Sequence, residues 1–239
     1  MLKQLFIMER EVLLKELEVI ESEIFGLGGV PDGIVNLDEY LNSDIKFMWI
    51  LKEANSPEDS EWSMRGALNS GYLKQENGIR KGWGNTFNPI IYTTSGILND
   101  KNWGEINWVC DEPDLIDILK KIAFVNLKKV PGGSVCDNEK MKSFYDQNKS
   151  ILERQLKLAN PDVIICGNTY WLIQDILDSV NLTSVKEFPE FPINYYYSSN
   201  RLIIDAYHPN NRSVSQESYC DSIIDTVRNW KNEFRAKLN

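Results

Sequence analysis

Four short apolar runs punctuate an otherwise polar, helix-patterned chain, near residues 46–51, 122–127, 162–166 and 202–206. Each is an unbroken block such as KFMWIL or IAFVNL, and each gives way to turn residues or lysines. Blocks of this kind predict strands buried on both faces, as in a parallel sheet. The intervening segments carry the three- and four-residue spacing of helices. Over residues 2–25 that spacing links Phe6, Leu13, Leu17, Ile20 and Ile24, and the GLGG run at 26–29, with Pro31 behind it, stops the helix. Further helices are expected at 86–98 (Pro89 in the first turn), 114–121, 138–159 and 169–177. The 138–159 helix has a buried stripe of Met141, Tyr145, Asn148, Leu152, Leu156 and Ala159, with Asn148 as its polar member. Residues 180–200, with Tyr195, Tyr196 and Tyr197, read as a loop or edge strand, and a final helix sets Tyr219, Ile223, Val227, Trp230 and Phe234 on one face. Alternating strands and helices predict one α/β domain over 1–239: a helical extension at 1–40, a core at 45–213 and a closing helix at 214–239.

At 239 residues and 42% hydrophobic, the chain can build one large core. Its net charge of −9 opposes tight non-specific binding to nucleic acid while leaving room for a local basic patch. No apolar run approaches the roughly 18 residues of a membrane span. The first helix is charged and amphipathic, unlike a signal peptide. Four cysteines, at 110, 136, 166 and 220, form no CxxC pair. These features predict reduced thiols in a cytoplasmic protein, with no membrane partner, disulfide frame or tetrahedral metal site.

Parallel strands joined by helices release their carboxyl ends on one rim, where open α/β sheets place their chemistry. After the first strand comes Glu53, a carboxylate that burial can tune, or else a surface acid. Near the end of the second stands Asn126, whose amide suits a base edge or a turn. The third ends in Gly167 and Asn168, a tight turn into a helix. The fourth breaks at Pro209 and delivers His208, the only histidine, as a titratable site residue or a turn cap. Lys128 and Lys129 are the best local candidates for phosphate contact, although solvated lysines are commoner. Residues 58–84 form a long polar stretch of the sort that covers a site. Within it Trp83, between two glycines, is free to lie on a flat ligand or to pack beneath the loop.

The order and placement of these strand ends resemble the uracil-DNA glycosylase superfamily, over residues 46–213. KEANS at 52–56 occupies the place of that family's GEAPG or GQDPYH motif, matching the GEAPG form at Glu53 and Ala54. HPNNRS at 208–213 resembles its HPSPLS motif at His208, Pro209 and Ser213. Asn126, Leu127, Lys128 and Lys129 resemble its Asn-bearing strand end. LERQ at 152–155, with Pro161 and Gly167 behind it, resembles the LERQI…P…G run of the iron–sulfur branch. The chain departs from that branch in having no cysteine before residue 110, and in carrying Val130 and Asn148 where cluster cysteines fall. No iron–sulfur cluster, other metal or cofactor is therefore expected. Arg212 stands where some branches carry a leucine wedge.

The resemblance implies a three-layer αβα sandwich around a four-stranded parallel sheet. It implies hydrolysis of the N-glycosidic bond of uracil or another deaminated or modified base, with damaged DNA or a smaller nucleobase-bearing ligand as partner. His208 would donate to a base oxygen as negative charge develops, and Glu53 would stabilise the sugar cation or place the water. Asn126, Trp83 and Asn55 would hold the base, while Lys128, Lys129, Arg212 and Ser213 would meet the nucleic-acid backbone. The alternatives are a non-catalytic nucleotide- or nucleic-acid-binding module and a hydrolase of free nucleosides or nucleotides on the same fold.

Overall fold

Apolar side chains on both faces of the first core strand bury it from Phe47 to Leu51. The computed structural model describes residues 2–55, 62–132, 138–177, 193–198 and 200–234. In chain order the elements are α1 (Leu2–Gly26), β1 (Gly33–Ile34), α2 (Leu37–Leu41), β2 (Phe47–Asn55), α3 (Met64–Asn69) and a small hairpin of β3 (Lys74–Gln75) with β4 (Gly78–Ile79). There follow α4 (Gly84–Asn99), β5 (Ile122–Gly132), α5 (Asn138–Ala159), β6 (Val163–Gly167), α6 (Tyr170–Ile173), β7 (Asn194–Tyr197), β8 (Leu202–Ala206) and α7 (Gln216–Phe234). The result is a mixed α/β fold around a mostly parallel six-stranded sheet of order β1-β5-β2-β6-β8-β7.

The four apolar runs form the inner, parallel strands β5, β2, β6 and β8. The two further strands pair antiparallel at the edges, which corrects the expected count of four. β1 is only two residues long and β7 reads NYYY, so neither registers as an apolar block. β7 lies within the 180–200 stretch read as a loop or edge strand; residues 178–192 and 199 lie outside the described residues.

Side chains alternate across the sheet. Phe47, Trp49, Leu51, Ile122 and Phe124 join one cluster with Ile90 and Ile91 of α4 and Tyr219, Ile223 and Val227 of α7. Met48, Ile50, Ala123, Val125 and Leu127 join another with Met141, Tyr145 and Leu152 of α5. Burial from both sides explains the unbroken apolar runs. Outside α5 lies α1, which packs Ile20 and Ile24 on Ile151. The polar member of the α5 stripe is satisfied: Asn148 Nδ2 donates to the carbonyl of Phe144 at 2.8 Å and to that of Leu127 at 3.4 Å.

Three helix expectations change. α4 begins at Gly84, so Pro89 lies beyond its first turn, buried, with its carbonyl 3.7 Å from Cys220 Sγ. Residues 113–121 form a 3-10 segment rather than an α-helix. The helix expected at 169–177 contracts to Tyr170–Ile173. Among the described residues no helix is long and apolar enough to cross a membrane.

β2 and β5 outrun their apolar cores, and this shapes the rim. Pairing of β2 with β6 ends at Ile50 opposite Cys166, whereas pairing with β5 continues to Asn55 opposite Gly132. A two-stranded tongue with polar side chains thus rises above the parallel sheet.

Candidate functional site

In space the parallel strands run β5-β2-β6-β8, whereas the chain visits β2 first, then β5, then β6. The connection leaving β2 runs to β5 on one side and the connection leaving β6 runs to β8 on the other, and open α/β sheets place their crevice at the carboxyl ends of such a strand pair. Its floor is Gly167. A Cβ there would collide with Leu51 Cδ2 and stand 3.1 Å from Pro209 Cδ and 3.7 Å from His208 Cα. The missing side chain is what lets the 208–209 segment close over β6 against β2. Gly167→Ala should cost about 1–3 kcal/mol through overpacking and displace His208. Thermal melts and the chemical shift of the single imidazole read both; an unmoved shift would show that His208 does not rest on Gly167.

His208 is half-buried, and its Nδ1 accepts the backbone N–H of Asn210 at 3.1 Å. That bond leaves the proton of the neutral ring on Nε2. Burial, then the nearby positive charge of Lys52, pushes its pKa down to about 4. The ring is thus a neutral Nε2–H donor at pH 7. Because His208 is the only histidine, its titration by proton NMR is unambiguous: the midpoint should fall near 4, with little change from pH 8 to 5.5. The folded ring binds a proton less readily than the unfolded one. Stability should therefore decline as pH drops from about 6.5 to 4 and level off below. A midpoint near 6.5 would place the ring in water.

Asn126 is 2% exposed, and among the described residues neither its Nδ2 nor its Oδ1 has a hydrogen-bond partner. Its backbone N–H donates to Asp32 Oδ2 at 2.7 Å. Residues two apart on a strand share a face, so Asn126 stands beyond Phe124, the end of an aromatic column. Phe124 meets Phe87 at 5.3 Å between centroids, and Phe87 meets Trp83 at 5.3 Å. Trp62 and Tyr72 close edge-on around Trp83, at 5.9 and 6.2 Å. Trp83 is thus packed beneath the loop, and the aromatic sharing Asn126's strand face is Phe124.

Glu53 and Lys128 stand opposite each other on the tongue, 2.8 Å apart, each side chain 10% exposed. Lys128 also lies 4.8 Å above the ring of Phe144. Lys129 is fully buried against Asp32, at 2.7 Å. The assignment of both lysines to phosphate contact is therefore corrected. β5 runs on through Gly132, so the two consecutive lysines point to opposite, covered faces of the strand where a solvated turn was expected. Arg212 and Ser213 are exposed, on a loop shaped by Asn211 Oδ1, which accepts the N–H groups of Ser213 and Val214, both at 3.1 Å. The side chain of Asn55, Ser56 and Cys136 lie outside the described residues.

The structure brings Glu53 and Lys128 into contact and puts Asn126 on the adjoining strand. His208 follows β8, which lies on the other side of β6 from both of those strands. At about 4.8 Å per strand, the Glu53 backbone lies roughly 10 Å, and that of Asn126 roughly 14 Å, from the strand leading to His208. Lys52, Phe87, Phe124 and Asp32 join the setting without having been singled out. Of these, Phe124 was readable from its two-residue spacing to Asn126. Among the described residues no group of three His, Cys, Asp or Glu side chains is placed to hold a metal ion. No protein-family model matches the chain, and no curated protein matches it.

Proposed function

We propose that the chain binds a nucleobase in the crevice above β5, β2 and β6 and hydrolyses its N-glycosidic bond. In this reading it is a uracil-DNA glycosylase-like hydrolase on a three-layer αβα frame. The observation that carries the reading is Asn126. Leaving a buried polar group unpaired costs about 1–3 kcal/mol, and Asn126 leaves a donor and an acceptor unpaired at the rim. A base edge with adjacent acceptor and donor, as in uracil or hypoxanthine, satisfies both together.

The rest of the crevice fits bond cleavage. As the base departs with negative charge, the neutral Nε2–H of His208 donates to its oxygen, a preorganised oxyanion contact. Glu53 faces the positive charge developing on the sugar or places the attacking water, as carboxylates do in glycoside hydrolysis. Lys128 holds that carboxylate in place. With Lys128 and Lys129 engaged inside the protein, the accessible cations of the strand-end motifs among the described residues are Arg212, exposed, and Lys52, partly so. This favours a second reading in which the substrate is a free nucleoside or nucleotide, because a DNA strand calls for several neutralised phosphates.

Chromatography of released base separates the readings. The substrates are oligonucleotides carrying uracil, hypoxanthine or xanthine, in single and double strands, beside deoxyuridine and its monophosphate. The proposal expects release from at least one, with Asn126→Asp changing the base preferred. Release from oligonucleotides, with a salt dependence that Arg212→Ala flattens, supports DNA. No release and no saturable uracil binding would overturn the proposal.

A further inference from the structure

The segment entering β1 runs antiparallel to the end of β5, but the ladder between them is interrupted. Gly33 stands opposite Phe124, and the N–H of Val30 donates to the carbonyl of Lys129 at 2.7 Å. Three residue steps on one strand thus face five on the other, and Asn126 falls in the gap. Its N–H finds a side chain instead of a backbone carbonyl: Asp32 Oδ2, at 2.7 Å.

Asp32 is itself clamped. Its Oδ1 accepts from Lys129 Nζ at 2.7 Å and from Gln155 Nε2 at 2.8 Å. Gln155 Nε2 also reaches the Asp32 carbonyl at 3.1 Å, and Gln155 Oε1 accepts from Lys129 Nζ at 2.8 Å. None of the three residues is more than 3% exposed. Gly33, which follows Asp32 and opens β1, sits at φ 129°, a conformation that favours glycine. A buried ion pair is a poor stability device, since well-packed apolar residues often serve as well. A carboxylate acceptor does make a shorter, stronger bond to a backbone N–H than a carbonyl does.

We propose that Asp32, held by Lys129 and Gln155, is a positioning residue for Asn126: it fixes the β5 main chain so that the unpaired carboxamide enters the crevice at one angle. The proposal rests on the reading of Asn126 as the base-edge reader. Two double variants, each free of buried charge, test it. Asp32→Asn/Lys129→Met keeps an oxygen for the Asn126 N–H, and Asp32→Leu/Lys129→Met removes it.

In nitrogen-15-labelled protein without ligand, the first variant should keep a slowly exchanging Asn126 backbone amide and two sharp carboxamide proton signals. The second should exchange at least about tenfold faster and lose the separation of those signals. Its affinity for free uracil should fall at least about tenfold relative to the first. Gln155→Met, which leaves both charges paired, is the milder variant should the leucine protein not fold; it should show the same changes, a few-fold in size. Unchanged exchange and carboxamide signals in the folded variants would overturn the positioning role. Altered signals in a native chain that never binds uracil would support positioning and overturn the base reading instead.

Discussion

Replacing His208 with alanine should slow base release by on the order of 10²–10³-fold, the usual effect of removing one oxyanion donor. Far-UV circular dichroism should stay unchanged, because the side chain lies on a loop past β8 rather than in either apolar cluster. The size of the effect follows from the ring's protonation state. An imidazole held neutral by burial and by Lys52 carries one proton, on Nε2. It can only donate to the departing base, which a side chain without an N–H cannot do. His208→Asn, with an amide donor of similar reach, should recover part of the rate. A loss below about threefold on the best substrate would remove His208 from the chemistry.

Lys129→Met should cost about 3–5 kcal/mol in urea unfolding, because it leaves the Asp32 carboxylate buried without its counter-charge. Adding Asp32→Asn should return most of that loss, since removing both charges removes the uncompensated one. A single-variant cost under about 1 kcal/mol would mean that the pair does not form in solution.

The parallel core was legible because burial on both faces writes an unbroken apolar run into the sequence, as at 163–166. The edge strands were not, because two residues of β1 and a tyrosine-rich β7 carry no such signature. The rim residues Glu53, Asn126 and His208 were singled out by asking what each strand releases at its end. That question says nothing of whether a strand continues, and so Lys128 and Lys129 read as lysines free to meet phosphate or solvent. In fact β5 continues and buries them. Asp32 was hidden for a related reason. Within VPDG it looks like a turn aspartate, and only the interrupted ladder beside β5 gives it a buried partner.

The strand order also sets when the crevice can exist during synthesis. The strands bearing Glu53 and Asn126 precede β8 in the chain and pair with each other across a long stretch of it. β8 and the histidine beyond it are made after both. A chain still emerging from the ribosome, or cut before residue 202, would carry the amide and the carboxylate without the imidazole. If the proposed cleavage holds, it is thereby withheld until β8 has joined the sheet.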